Sequence, residues 1–441
     1  MTPTAGRALV LALGLGLLAG SAPSGPQNGK WKEAPRKVAL ATGLPLVYHL
    51  DKTSPMTVVA LFATGGKSAV PDGLDGLAYL ATRLTLEIPD EGKVQDLMAQ
   101  ATRMNIVCSE DYSALFIECL SENLEEALRV AGKIIQAPLM SGLRIARTKE
   151  YMKLFAQAED DDAVSAGLNA ALGAFFQGKA YGSATYGTEG SRKAIERKDV
   201  LAFYRRFFNS KSLFFTVVSD LDLAPIQALL EKHFSRFPAG ETVEVAPTAP
   251  ALPSDREVVL RKEAKQTYVG RAFALPAPDP AHLAMGMLLE VLLGRGPGSR
   301  LWSLRTKEKL AYGVDAAVTW TRTAGILEAY LETEAVKAGR AADALDKVLA
   351  AVCLEGVTPE ELETSKTMAK AAFLRSAESK SDRARRLGAF EVLGLGYEHL
   401  SGIFGAIDAV GLEALNEFIR GALSAERAVR VIVGPAEAGT R

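Results

Sequence analysis

The stretch "FPAGETVEVAPTAPALPSDRE", residues 237–257, divides the chain in two. It is rich in proline and alanine and poor in large apolar residues, so it reads as a linker, set at residues 241–255. What flanks it constrains the fold further, because both sides run in one order. Before it come strand-like "KVALATGLPLVYHLD" and "MTVVALFATGG", then the helix "GLDGLAYLATRL" and the hairpin "NIVCSEDYSALFIECL". The helix "NLEEALRVAGKIIQAP" follows, then two helices in "GLRIARTKEYMKLFAQAEDDDAVSAGLNAALGAFF", the helix "KDVLAFYRRFF" and the buried strand "LFFTVVSD". After it come strand "QTYVGRAFAL", helix "AHLAMGMLLEVLLG" and strands "AYGVDAAVTWT" and "GILEAYLETE". Helices "RAADALDKVLAAV", "TPEELETSKTMAKAAFLRS" and "LEALNEFIRGAL" lead to a last strand, "AVRVIVGP". At 441 residues the chain exceeds one ordinary domain. The repeated order points to duplication.

Hydrophobic residues make up 48% of the chain and charged residues 23%, which suits a globular protein with a large core. The formal net charge is −1 and there is no long basic block, so nucleic-acid and membrane-surface roles find no support. Residues 1–24 have the composition of a secretory signal peptide: one positive charge, Arg7, then an apolar run from Ala8 to Ala19 that is too short to span a bilayer. The expectation is export, to a bacterial periplasm, of a protein that is not integral to the membrane. Export permits disulfides, yet the cysteines number three, Cys108, Cys119 and Cys353, in apolar surroundings. A tight turn at "SEDY" sets Cys108 opposite Ser113 and not opposite Cys119, so no bridge is expected between those two.

Four segments in this order, "GLDGLAYL", "AYGSATYGTEGSRKAI" with "DVLAFYRRFFNSKSLFFTVVSDLD", "LLGRGPGSRLWSLRTKEKLAYGV" and "TPEELETSK", make the chain resemble the M16 (insulinase or pitrilysin-like) peptidases. That family includes the mitochondrial processing peptidase subunits and the inactive subunits of bacterial M16 heterodimers. The resemblance implies an α+β fold of the LuxS/MPP-like metallohydrolase type. It has two tandem, similar domains (residues 31–240 and 256–441), each a mixed, mainly antiparallel sheet packed with helices.

In active members the helix after the paired glycines carries His-x-x-Glu-His. Two neutral imidazoles one turn apart hold zinc, and the carboxylate between them is the general base for water. Here that motif falls on Tyr79, Thr82 and Arg83. A phenol is a poor ligand at neutral pH, a threonine is no base, and a guanidinium repels a cation. The third ligand, a glutamate in the family, falls at Leu154 or Phe155; Glu159 and Asp160 to Asp162 lie a turn further on, where acidic residues are not ligands. Helical spacing puts Leu74, Leu77, Leu80, Ala81, Leu84 and Ile88 on a core face, with Tyr79, Thr82, Arg83 and Leu86 opposite. The histidines, His49, His233, His282 and His399, are scattered and read as surface or capping residues, and no "GxSxG" is present. The chain is thus expected to carry no catalytic residue, no metal and no cofactor of its own.

The second half keeps Arg305 and Tyr312, seven apart. In active relatives a matching pair reaches across to the zinc site, where a guanidinium grips carbonyls and a phenol donates to the oxyanion. The loop "GRGPGSR", with Gly294, Gly296 and Gly298, corresponds to a glycine-rich loop implicated in substrate recognition in the non-catalytic processing-peptidase subunit. A phosphate-binding loop is excluded, because no lysine follows these glycines at the needed spacing. Taken together, the resemblance implies a non-catalytic subunit that pairs with an M16 chain bearing intact His-x-x-Glu-His and binds peptide between them. The alternative is a purely structural scaffold of the same fold.

Overall fold

The computed structural model describes residues 33–243, 248–251, 256–424 and 428–435. The expected leader and residues 244–247 and 252–255 of the expected linker lie outside the described residues. Strands β1 (Arg36–Ala39), β2 (Pro45–Leu50), β3 (Met56–Thr64), β4 (Arg103–Cys108), β5 (Tyr112–Leu120) and β6 (Leu213–Ser219) form one sheet in the order β1-β2-β6-β3-β5-β4. Strands β7 (Arg256–Arg261), β8 (Thr267–Leu275), β9 (Gly313–Trp320), β10 (Gly325–Thr333) and β11 (Val429–Gly434) form the other, in the order β7-β11-β8-β10-β9. Without β1 the two orders coincide strand for strand. Each sheet has one parallel pair, β2 with β6 and β7 with β11, and its other pairings are antiparallel. The order repeated in the sequence is a repeated topology, and the fold class is α+β with two mixed sheets.

The central strands are near-continuous apolar runs because both faces of each sheet are covered. Along β3, Val59, Leu61 and Ala63 point into the core built with the first half's own helices. The alternate residues Val58, Ala60 and Phe62 join a core that contains most of the second half. The cover on that face is the helix Lys380–Val392, which packs on β3, β5 and β6. The second sheet is covered in the same way from the first half, by the helix Ala163–Phe175 against β7, β8 and β11. Each half therefore lends a helix to the other's sheet.

Polar contacts fix these exchanged helices. Lys380 donates from Nζ to the carbonyls of Asp51 (2.7 Å), Ser54 (2.7 Å) and Met56 (2.8 Å), and Arg383 pairs with the Asp51 carboxylate. Away from this staple, Asp111 accepts from the Tyr181 hydroxyl at 2.7 Å and from the Arg322 amide at 2.9 Å.

Several expectations are corrected. The run "KVALATGLPLVYHLD" holds two strands, β1 and β2, with a turn that closes through Gly43. Strand β7 starts at Arg256, the first residue after the linker set at 241–255, and was not among the strands read from the sequence. His49 is not a surface residue: it is buried on β2, where burial first and Arg383 second push its imidazole down to about 4. His399 is buried as well. The hairpin register is as read, with Cys108 opposite Ser113, while Cys119 lies opposite Thr57. All three cysteines are free thiols.

Candidate functional site

The helix Leu77–Thr85 starts at Gly76, whose φ of 89° lies in the left-handed region that favours glycine. A Cβ there would also sit 2.7 Å from Met152 Cε and 2.8 Å from the Gly187 amide. The two glycines of "GLDG" and "TYGTEG" thus meet back to back. Ser191 seals the contact by donating from its hydroxyl to the Asp75 carbonyl at 2.9 Å. This close approach is what places Tyr79 against the long helix Gly142–Asp161.

Of the two positions weighed for a third ligand, Phe155 faces the site and Leu154 is exposed to solvent. The Tyr79 ring stands 6.2 Å from that of Phe155 and 4.8 Å from that of Tyr186, both edge-on, and Phe155 and Tyr186 are 5.4 Å apart. Three aromatic rings cluster here, two of the contacts in the edge-to-face arrangement such rings prefer and the third tilted at 46°. Burial pushes the Tyr79 phenol up to about 12, with Arg83 opposing, so it stays protonated and is a still poorer ligand. Thr82 does not lie on an outer face as the helical spacing suggested. It is fully buried, its hydroxyl finds no hydrogen-bond partner, and Leu86 is buried too. Arg83 alone of the motif residues is exposed. A phenol, an orphaned hydroxyl, a guanidinium and a phenyl ring do not fit zinc. No group of three or more metal-ligating side chains exists among the described residues.

Sequence reasoning missed a polar group beside these rings. Lys67, which follows the paired glycines after β3, is almost wholly buried and pairs with Glu110 at 3.1 Å. Burial raises the Glu110 carboxyl, yet Lys67 and the Ser109 hydroxyl outweigh it and hold it below the usual range. Glu159, on the long helix, is pushed up by burial while the same lysine pulls it down. The only local signal was the lysine after the paired glycines in "GGKS", and it serves this internal ion pair.

In the second half Arg305 lies in the last turn of the short helix Trp302–Thr306, with its guanidinium over the Trp302 ring, 4.9 Å from the centroid. Tyr312 is 51% exposed, so it is not a packing residue, and it donates to the Glu334 carboxylate at 3.0 Å. That bond, with burial second, holds the phenol above its ordinary value. The side-chain contacts of Arg305 and Tyr312 stay within the second half. In the glycine loop, Gly294 lies hard against β9, where a Cβ would come within 2.1 Å of the Ala316 amide. It serves packing between helix and strand. Gly296 and Gly298 adopt φ of 87° and 103°, and Gly298 is exposed.

Residues 194–369 match the family model described as "Peptidase M16 inactive domain". The chain is 24% identical over 384 residues to the "non-peptidase homolog YmxG" of Helicobacter pylori, covering 86% of this chain and 88% of that one. It is 23% identical over 411 residues to an "uncharacterized zinc protease" of Mycobacterium tuberculosis, covering 91% and 93%. Among solved structures, the peptidase M16 inactive domain from Pseudomonas fluorescens superposes with a TM-score of 0.82 at 21% identity, covering 92% of this chain and 98% of that one.

Proposed function

We infer, from a chain that resembles the non-catalytic M16 proteins in its motifs, its family match and its fold, that it is the peptide-binding subunit of a two-chain peptidase. In this reading it is exported to the periplasm and pairs with a separate M16 chain that carries the zinc and the general base. The partner's edge strand holds the peptide in extended form. This chain supplies half of the chamber wall, with Arg305 to grip peptide carbonyls and Tyr312 to donate where negative charge develops.

The observation that carries the reading is a contrast. Aromatic rings fill the place of the zinc site, while Arg305 and Tyr312 remain exposed on the other half. Packing alone explains buried residues and does not explain an exposed phenol.

The test begins with co-purification of the mature chain from its host and assay of the complex on unfolded peptides. Tyr312→Phe should lower the kcat of the complex by about 100-fold, the usual scale for one oxyanion donor. KM should change far less, because that contact forms in the transition state. The complex should stay intact on size exclusion. A mutant complex as active as the parent would make the chain a purely structural scaffold.

A further inference from the structure

Arg305 in the last turn of the helix Trp302–Thr306, and Lys307 and Lys309 in the connection from it to β9, are three cations, all exposed. Among the described residues none of them lies within ion-pair distance of a carboxylate. This sets them apart from their neighbours: Arg295 pairs with Glu290 at 3.0 Å and Arg300 with Glu361 at 2.6 Å. Between residues 302 and 312 the one carboxylate is Glu308. Like-signed side chains close in sequence, exposed and outside any ion pair raise the local potential and favour an anionic ligand.

Backbone hydrogen bonds pin the connection at several points. The amides of Lys307 and Glu308 both donate to the Ser303 carbonyl, at 2.9 and 3.1 Å, and the Leu310 amide donates to the Leu304 carbonyl at 2.9 Å. Leu304 and Leu310 are buried beneath, and the Thr333 hydroxyl donates to the Leu310 carbonyl at 2.6 Å. Lys309 is held at φ 53°, a left-handed conformation that costs a side-chain-bearing residue energy and persists only where its surroundings enforce it. The Trp302 ring supports one face of the Arg305 guanidinium. Such a stack holds the planar group in place and leaves its N–H edge for a two-pronged bond to carboxylate.

We propose that this hook, formed by Trp302, Arg305, Lys307 and Lys309 next to Tyr312, selects peptide segments that carry carboxylates. The Arg305 edge that grips a peptide carbonyl takes a carboxylate through paired hydrogen bonds where the segment offers one, and the two lysines add charge without fixed direction. The inference names the substrate class of the chain in the proposed complex and rests on that reading. The carboxylate can come from acidic side chains or from a peptide C-terminus. Each exposed ion pair is weak, but several acting on one ligand combine to a selectivity of about tenfold.

The test uses the full mature chain and three fluorescein-labelled peptides of equal length. One has four glutamates and an amidated end, one has glutamines and a free end, and one has glutamines and an amidated end. Fluorescence anisotropy at low salt should show the first, the second, or both binding about tenfold tighter than the third, and that pattern identifies the source. The preference should fade at about 0.3 M salt, where screening acts within a few ångströms. Arg305→Gln with Lys309→Gln should abolish it, and Trp302→Leu should weaken it severalfold although every charge remains. An unchanged melting curve shows that the variants fold. Equal binding of all three peptides, or a preference that survives in the double variant, overturns acidic selection while leaving the peptide-binding subunit to the kcat assay above. Binding of none of them also overturns it.

Discussion

Thr82 and Glu328 are single residues whose chemistry is at odds with their surroundings. The Thr82 hydroxyl is buried without a partner, a loss that a methyl group of the same shape avoids. Thr82→Val should therefore stabilise the protein by about 1 kcal/mol, read as a higher urea midpoint at unchanged slope. Glu328 lies on β10 with one oxygen accepting from the Tyr268 hydroxyl at 3.0 Å and the other without a partner, beneath the borrowed helix Ala163–Phe175. Burial raises its carboxyl well above the ordinary range, against the hydrogen bond from Tyr268. A raised folded pKa means the folded state holds the proton more tightly than the unfolded one. Its contribution is complete below the unfolded value, about 4.3, and is lost as pH rises through the folded value. Glu328→Gln should thus gain stability over the parent as pH is raised from 5 to 9, measured by denaturant unfolding at each pH. A gap that is constant across that range would mean the carboxyl is not held neutral.

At the scale of elements, the Lys380 ammonium is surrounded by three carbonyls from one loop and strand of the other half. Burial lowers its pKa, with Asp51 and Asp220 opposing. Lys380→Met keeps most of the length of the side chain and leaves three carbonyls facing an apolar group. The expected cost is about 3 kcal/mol, typical when one partner of a buried charged contact is removed. Hydrogen exchange should accelerate first along Lys380–Val392, and uniform acceleration would refute a local staple. Much at this scale was legible in the sequence. The tight turn at "SEDY" set the β4–β5 register, with Cys108 opposite Ser113, because the turn length decides which residues face each other. The helix Lys380–Val392 was not legible: ten of its thirteen residues are charged or small, and its burial depends on a sheet more than 160 residues earlier. The placement of Thr82 failed for a related reason. A helical wheel assumes one buried face, and this helix is packed on several sides by β4, β5 and three other helices.

For the whole molecule, the candidate site divides in the same way. Tyr79 and Phe155 were found because the family spacing survives in the residues around them. Tyr186 and Lys67 come into the site from distant segments, and no local pattern marks such a meeting. The helix exchange makes the two halves one cooperative body, since neither sheet is covered on both faces without the other half. Calorimetry should show one transition whose van't Hoff and calorimetric enthalpies agree. Residues 33–243 expressed alone should aggregate or bind a hydrophobic dye, and a soluble, cooperatively folded fragment would show that the borrowed helix is dispensable.

The same exchange sets a clock on biosynthesis. Once β6 has left the ribosome, the face of the first sheet that carries Phe62, Phe116 and Phe214 must wait for Lys380–Val392 to be translated. At roughly 5–20 residues per second this takes about ten to thirty seconds, while apolar collapse and strand pairing are complete in far less than one. A nascent chain of this design thus passes through a period in which it is half built and adhesive, and a holding chaperone that binds β3 and β6 would have its longest opportunity there.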